Sequence, residues 1–183
     1  MKLTEEMAKK AFFLRNKTSP IFSDAIHNGL NSLSIHIIDK KRERNYMLSS
    51  HPSCEYNFFC DDIHKYDLAI TKEMFSKKDF YLWEDCFVDK TMVNRKYAIF
   101  SAGTGCVFSR KTDDLYVLYS ISLSKKSDIK LDQETKNRLL IIADFCLMGL
   151  LDIYPLIFDD FHLCNISFEK YLSQNQPKEH KNE

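Results

Sequence analysis

Two strand-turn-strand patterns, separated by helical stretches, constrain this chain more than any other feature. Residues 33–38 (LSIHII) and 45–50 (NYMLSS) flank the charged run DKKRER, and residues 106–109 and 115–123 flank Thr112-Asp113-Asp114. Extended runs rich in β-branched and aromatic residues, joined across a solvated turn, fold back as antiparallel hairpins. The segments around them carry helical spacing. After an N-terminal helix, Ser19 reads as an N-cap with Pro20 in the first turn, and Ile21, Phe22, Ala25, Ile26 and Leu30 follow until Gly29 supplies a stop. Between Pro52 and His64, Tyr56, Phe59, Cys60 and Ile63 recur at three- and four-residue steps, which predicts a helix with its rings on one face. Residues 80–83 (FYLW) read as a short extended piece and 89–100 as a helix. The SAGTG that follows holds two of the four glycines and reads as a loop where the backbone turns or approaches something closely. A long helix from Asp132 through Ile153 closes the domain. Two helices, a hairpin, helices, a second hairpin and a final helix amount to an α/β fold. The expected architecture is an α/β/α sandwich, PAS- or GAF-like, with a central antiparallel sheet and helices on both faces.

Composition narrows the function classes. The 26 basic and 26 acidic residues cancel, so no general field draws the chain to nucleic acid or to an anionic membrane, and direct DNA contact is not expected of it. Fourteen Phe, nine Tyr and one Trp, against four Gly and four Pro, describe a compact ordered chain. Residues 1–160 read as one domain and 161–183 as a polar tail or linker stub. The N-terminus lacks a secretory signal, which predicts a cytoplasmic location. The most apolar stretch, Leu139 to Phe158, is interrupted by Asp144 and Asp152 and therefore reads as a buried helix rather than a membrane span. Six cysteines without a CxxC pair suit reduced core thiols, so no metal, cofactor or structural disulfide is expected.

The candidate site lies between Leu48 and Trp83, where aromatic rings alternate with a few acids and the segment ends on the single tryptophan. Rings among sparse polar groups are what a closed small-molecule pocket is built from. Tyr56, Tyr66, Asp67 and Trp83 carry the hydrogen-bonding groups such a pocket needs. The bland alternative is that these rings are ordinary core and the acids solvated.

LSSHP, an aromatic helix, Tyr66-Asp67, FYLW and then Gly105-Cys106-Val107-Phe108 before a hairpin resemble the autoinducer-binding domain of LuxR-type transcription regulators over residues 15–160. The resemblance implies a sensory domain that binds a small apolar signal molecule, an acyl-homoserine lactone or another autoinducer, and that forms a homodimer. Carried over, Tyr56 stands near the family's helix tryptophan, Phe59 or Cys60 near its tyrosine, Asp67 near its aspartate, Trp83 at the closing tryptophan, and Gly105 at the glycine opening the second half of the sheet. The helix tryptophan itself is absent, which removes a donor that a lactone would use. The family's helix-turn-helix domain has no counterpart after Phe158, so the chain reads as a sensory domain cut from a longer regulator or a stand-alone protein.

Two other classes compete. An enzyme would use Cys86 or Cys60 with His64 and Asp67 as nucleophile, base and orienter, but no local sequence lowers a cysteine pKa. A ligand-free dimerisation or interaction module would have a filled core where a sensor has a cavity.

Overall fold

The protein is described by a computed structural model over residues 5–60, 67–86, 90–112, 114–124 and 130–161. Five strands, β1 (Ser32–Asp39), β2 (Arg44–Ser49), β3 (Phe80–Leu82), β4 (Ala102–Lys111) and β5 (Leu115–Ser124), form one sheet in the order β2-β1-β5-β4-β3. Every neighbouring pair is antiparallel. Both expected hairpins are present. In the first, Asp39 pairs with Arg44, and Asp39 Oδ1 accepts from the backbone N–H groups of Lys41 and Arg42 at 2.8 and 2.9 Å. An aspartate that ties down the next amides in this way closes a turn without apolar support.

Side chains alternate across the pleat, so each strand serves two layers. Leu33, Ile35 and Ile37 of β1, Tyr46 and Leu48 of β2, and Val117, Tyr119 and Ile121 of β5 face one layer. That layer is filled by α2 (Arg15–His27), α6 (Gln133–Leu150) and α7 (Tyr154–Ile157). The other face carries α4 (Lys72–Lys77) and α5 (Lys90–Ile99), with Phe75, Val93 and Phe100 against Val107 and Leu118. At the β2 edge, α1 (Glu5–Phe13) packs on α3 (Pro52–Cys60). The α/β/α sandwich read from the sequence is the architecture found.

Local readings differ in instructive places. The second helix starts at Arg15, not at Ser19, and Pro20 lies inside it. Ser19 is not an N-cap, because its hydroxyl donates back to the Arg15 carbonyl at 2.8 Å. Gly103 and Gly105 sit within β4 rather than in a loop; the turn is made one step earlier by Ser101, at φ 50°, and a bulge falls between Ala102 and Thr104. The final helix begins as expected, Asp132 Oδ1 accepting from the Thr135 N–H at 2.8 Å, but it ends at Leu150 and is followed by the short α7. Of the helix expected over 52–64, residues 61–64 lie outside the described set. Asp144, which interrupts the apolar run, is held on α6 by Tyr119 Oη at 2.6 Å and by Arg110 Nη2 at 2.7 Å. Paired in this way, an acid is tolerated within a helix that faces the core. Among the described residues no helix is long and apolar enough to cross a membrane.

Candidate functional site

On the face covered by α5, the middle of the sheet is polar. Ser32, Ser34 and His36 of β1, Asn45 and Ser49 of β2, and Ser120 and Ser122 of β5 all point there, and all are buried. Of these, Ser32, Ser34, His36 and Ser120 form the floor of a chamber closed by Glu55 from α3, Asp67 and Ile70 from the turn before α4, Trp83, and Lys96 and Phe100 from α5 and its end. The remaining space is about 30 Å³. A water needs at least ~10–15 Å³ measured this way, so the chamber has room for about two.

Trp83 forms one wall because of the strand beside it. β3 pairs with β4 in the register Leu82 to Cys106, which brings the next residue, Trp83, over Gly105. A Cβ on Gly105 would fall 2.0 Å from Trp83 Cδ2 and 2.1 Å from Cε3, so only glycine admits the ring. The indole N–H donates to Ser120 Oγ at 3.2 Å. Tyr97 stacks on the ring with centroids 5.7 Å apart, and Lys96 Nζ lies 4.3 Å from the ring centroid. A cation over an indole face is attracted by its quadrupole.

Lys96 is the chamber's only cation among the described lining residues, and its ammonium donates to Asp67 Oδ2 at 2.7 Å. Their side chains are 4% and 13% exposed, so this ion pair is held almost without solvent. Asp67 is fixed in turn, its Oδ1 accepting from the Ala69 N–H at 3.1 Å, and Tyr81 Oη pins the same turn by donating to the Ala69 carbonyl at 2.6 Å. Across the chamber, Ser34 Oγ donates to Glu55 Oε1 at 2.5 Å. Burial raises the Glu55 carboxyl above its ordinary value, against the opposing pull of Ser34 and Lys96. Burial lowers His36 to about 4, which keeps its ring neutral beside Asn45. The site therefore offers an ammonium, a carboxylate, a carboxyl biased toward its neutral form, an indole N–H and several hydroxyls around one small space.

The residues expected from sequence separate in space. Asp67 and Trp83 line the chamber, and Gly105 lies against the Trp83 ring. Tyr56 points the other way, toward α1, where its ring stacks on Phe12 at 5.4 Å. Phe59 is half-buried on α3 and Cys60 is exposed, and neither lines the chamber; Tyr66 and His64 lie outside the described residues. Of the described residues expected in that stretch, Asp67 and Trp83 therefore reach the chamber, while Tyr56, Phe59 and Cys60 on α3 do not. Burial pushes the Cys86 thiol up to about 11, away from the thiolate a nucleophile requires.

Lys96, Glu55, Ser34, His36 and Ser120 were missed. For Ser34, His36 and Ser120 the signal was present as strict alternation, Ser-Leu-Ser-Ile-His-Ile in β1 and Tyr-Ser-Ile-Ser-Leu-Ser in β5; Glu55 and Lys96, on helices, carry no such pattern. In a sheet covered on both sides, the polar half of such an alternation is a buried site, not a solvated face.

No protein-family model matches the sequence, and no curated protein does. Solved structures do. The chain is similar to SdiA of Escherichia coli with a TM-score of 0.58 and 14% identity, covering 95% of this chain and 71% of that one. It is similar to CepR2 of Burkholderia cenocepacia, described as an N-acylhomoserine lactone dependent LuxR family transcription factor, with a TM-score of 0.51, 12% identity and coverage of 84% and 96%. SdiA in complex with octanoyl-rac-glycerol matches with a TM-score of 0.54, 14% identity and coverage of 84% and 69%. The fold is that of the autoinducer-binding domains of LuxR-family regulators.

Proposed function

We propose that this chain is a sensory domain of the LuxR type, binding a small signal molecule in the chamber beneath Trp83. The observation that supports this most is the buried polar floor sealed by an indole, within a fold shared with an acyl-homoserine lactone dependent regulator and with a protein solved with an acylglycerol. Hydroxyls, Trp83 and Asp67 supply donors and acceptors for a polar head, and Ile70 and Phe100 supply apolar surface for the rest of the molecule. A space of about 30 Å³ does not hold such a ligand, so binding requires the Lys96 side chain to swing out. Its four-carbon stem makes that motion a matter of rotamers rather than of the backbone. The work is binding, not catalysis, and the domain self-associates as a homodimer.

A second reading is favoured by that same small volume: with Lys96 filling the chamber, the domain is an interaction module that needs no ligand. Native mass spectrometry separates the two. Sensing predicts a mass increment, carried from expression or gained on incubation with acyl-homoserine lactones or octanoylglycerol, that is lost on denaturation. Apo mass throughout supports the module.

A further inference from the structure

The chamber already holds a ligand-like group of its own. Lys96 brings a primary ammonium into it, where Nζ donates to Asp67 Oδ2 at 2.7 Å and lies 4.3 Å from the Trp83 ring centroid. A carboxylate beside an aromatic face is the pairing that recognises an organic cation. Ser34, Glu55 and Ser120 line the same space and add acceptor oxygens for the remaining ammonium protons.

Withdrawal of Lys96, which binding requires, changes the charge of this space. Lys96 is the only cation among the described lining residues, and burial holds His36 neutral. Asp67 stays behind, because its Oδ1 accepts from the Ala69 N–H at 3.1 Å, and its side chain is only 13% exposed. The opened chamber therefore contains a buried carboxylate without a counter-charge, close to an indole. A neutral head leaves that carboxylate unpaired, an anionic head is repelled by it, and a cationic head restores what Lys96 supplied. Shape points the same way. Cγ, Cδ, Cε and Nζ of a lysine have the form of n-propylammonium, so the volume that Lys96 vacates fits an unbranched alkylammonium, with Ile70 and Phe100 as apolar wall for the chain.

We infer that the chamber selects a signal molecule whose head is a primary ammonium on an unbranched apolar chain, held by Asp67 and Trp83 in the place of Lys96 Nζ. This rests on the reading of the chamber as a binding site. Thermal shift and titration calorimetry at fixed pH and ionic strength test it with two series that differ only in the head. Lys96→Ala receives n-propylamine, 1-propanol and propionate; the wild type receives hexylamine, 1-hexanol and hexanoate, with octanoylglycerol beside them. The amine is expected to raise the melting temperature of Lys96→Ala by several degrees where the alcohol and carboxylate do not, and hexylamine to bind the wild type ~10-fold or more tightly than 1-hexanol. Lys96→Ala/Asp67→Asn, which removes both charges and strands neither, is expected to lose the preference. Should Lys96→Ala fail to fold, the wild-type series and the double variant decide. An alcohol or carboxylate that binds as tightly as its amine, or octanoylglycerol binding without any response to the amines, overturns the ammonium head and leaves sensing standing. An amine preference that persists in the double variant overturns Asp67 as its source, and the assignment with it. No response to any compound in any of the proteins overturns the binding site itself.

Discussion

Gly105→Ala probes the chamber wall with one methyl group. The φ of Gly105 is not in the left-handed region, so alanine brings no backbone strain, and its whole effect is steric. The new Cβ would lie 2.0, 2.1 and 2.6 Å from three carbons of the Trp83 ring, far inside contact distance. The ring cannot yield easily: it is 2% exposed, stacked by Tyr97 and tied to Ser120. Overpacking of a well-filled site costs ~1–3 kcal/mol, and a rigid backbone-borne methyl against an immobile ring belongs at the upper end. About 3 kcal/mol lowers the melting temperature by ~6–12 °C in a chain of this size. Trp83 is the only tryptophan, so intrinsic fluorescence reports on this wall alone. The variant should show a red-shifted emission together with the lower melting temperature. Adding Trp83→Phe should recover part of the loss, because the two substitutions share one contact. Wild-type stability and emission in Gly105→Ala would refute the packing of Trp83 on Gly105, and with it the placement of the chamber.

Lys96→Met keeps the stem but strands Asp67, and should cost ~3 kcal/mol in chemical denaturation; the double variant with Asp67→Asn should cost less than the two singles combined, a coupling a double-mutant cycle reads directly. His36 titrates near 4 in the folded state against 6.5 when unfolded, so the unfolded chain takes up the proton first. Stability should hold above pH 6.5 and fall toward pH 4 by on the order of 3 kcal/mol, and His36→Gln should flatten that fall. Glu55, raised by burial, acts with the opposite sign, its contribution being full below 4.5 and lost as pH rises through its folded value. Tyr56→Phe should leave any ligand response unchanged in titration calorimetry, since its ring faces Phe12 and not the chamber.

The sequence was legible where local chemistry decides structure. The DKKRER turn, the Asp132 cap and both hairpins follow from short-range propensity, and the layer count follows from their order. Pro20 shows the limit: a proline six residues into α2 costs one backbone bond, and packing of Phe22 and Ala25 in the core outweighs the signal that Ser19-Pro20 gives for a helix start. The site was half legible for a related reason. Gly105 and Trp83 are adjacent only through strand pairing, and the Lys96 to Asp67 contact joins residues far apart in the chain, so neither spacing nor composition displays them. Tyr56 was assigned to the pocket because helical periodicity reveals that rings share a face but not which neighbour the face meets; α1 takes it.

The central claim, that the chamber beneath Trp83 receives a small molecule once Lys96 withdraws, is tested most directly by a titration followed through Trp83 emission and melting temperature. Wild type and Lys96→Ala would be compared, with acyl-homoserine lactones of several chain lengths and with octanoylglycerol. A ligand at 100 times its dissociation constant stabilises by ~2.7 kcal/mol, or ~5–10 °C here. The account predicts that at least one compound produces this shift together with a change in Trp83 emission, and that Lys96→Ala, less stable alone, binds it more tightly because the resident side chain no longer has to leave. No shift and no emission change with any compound, in either protein, would contradict it.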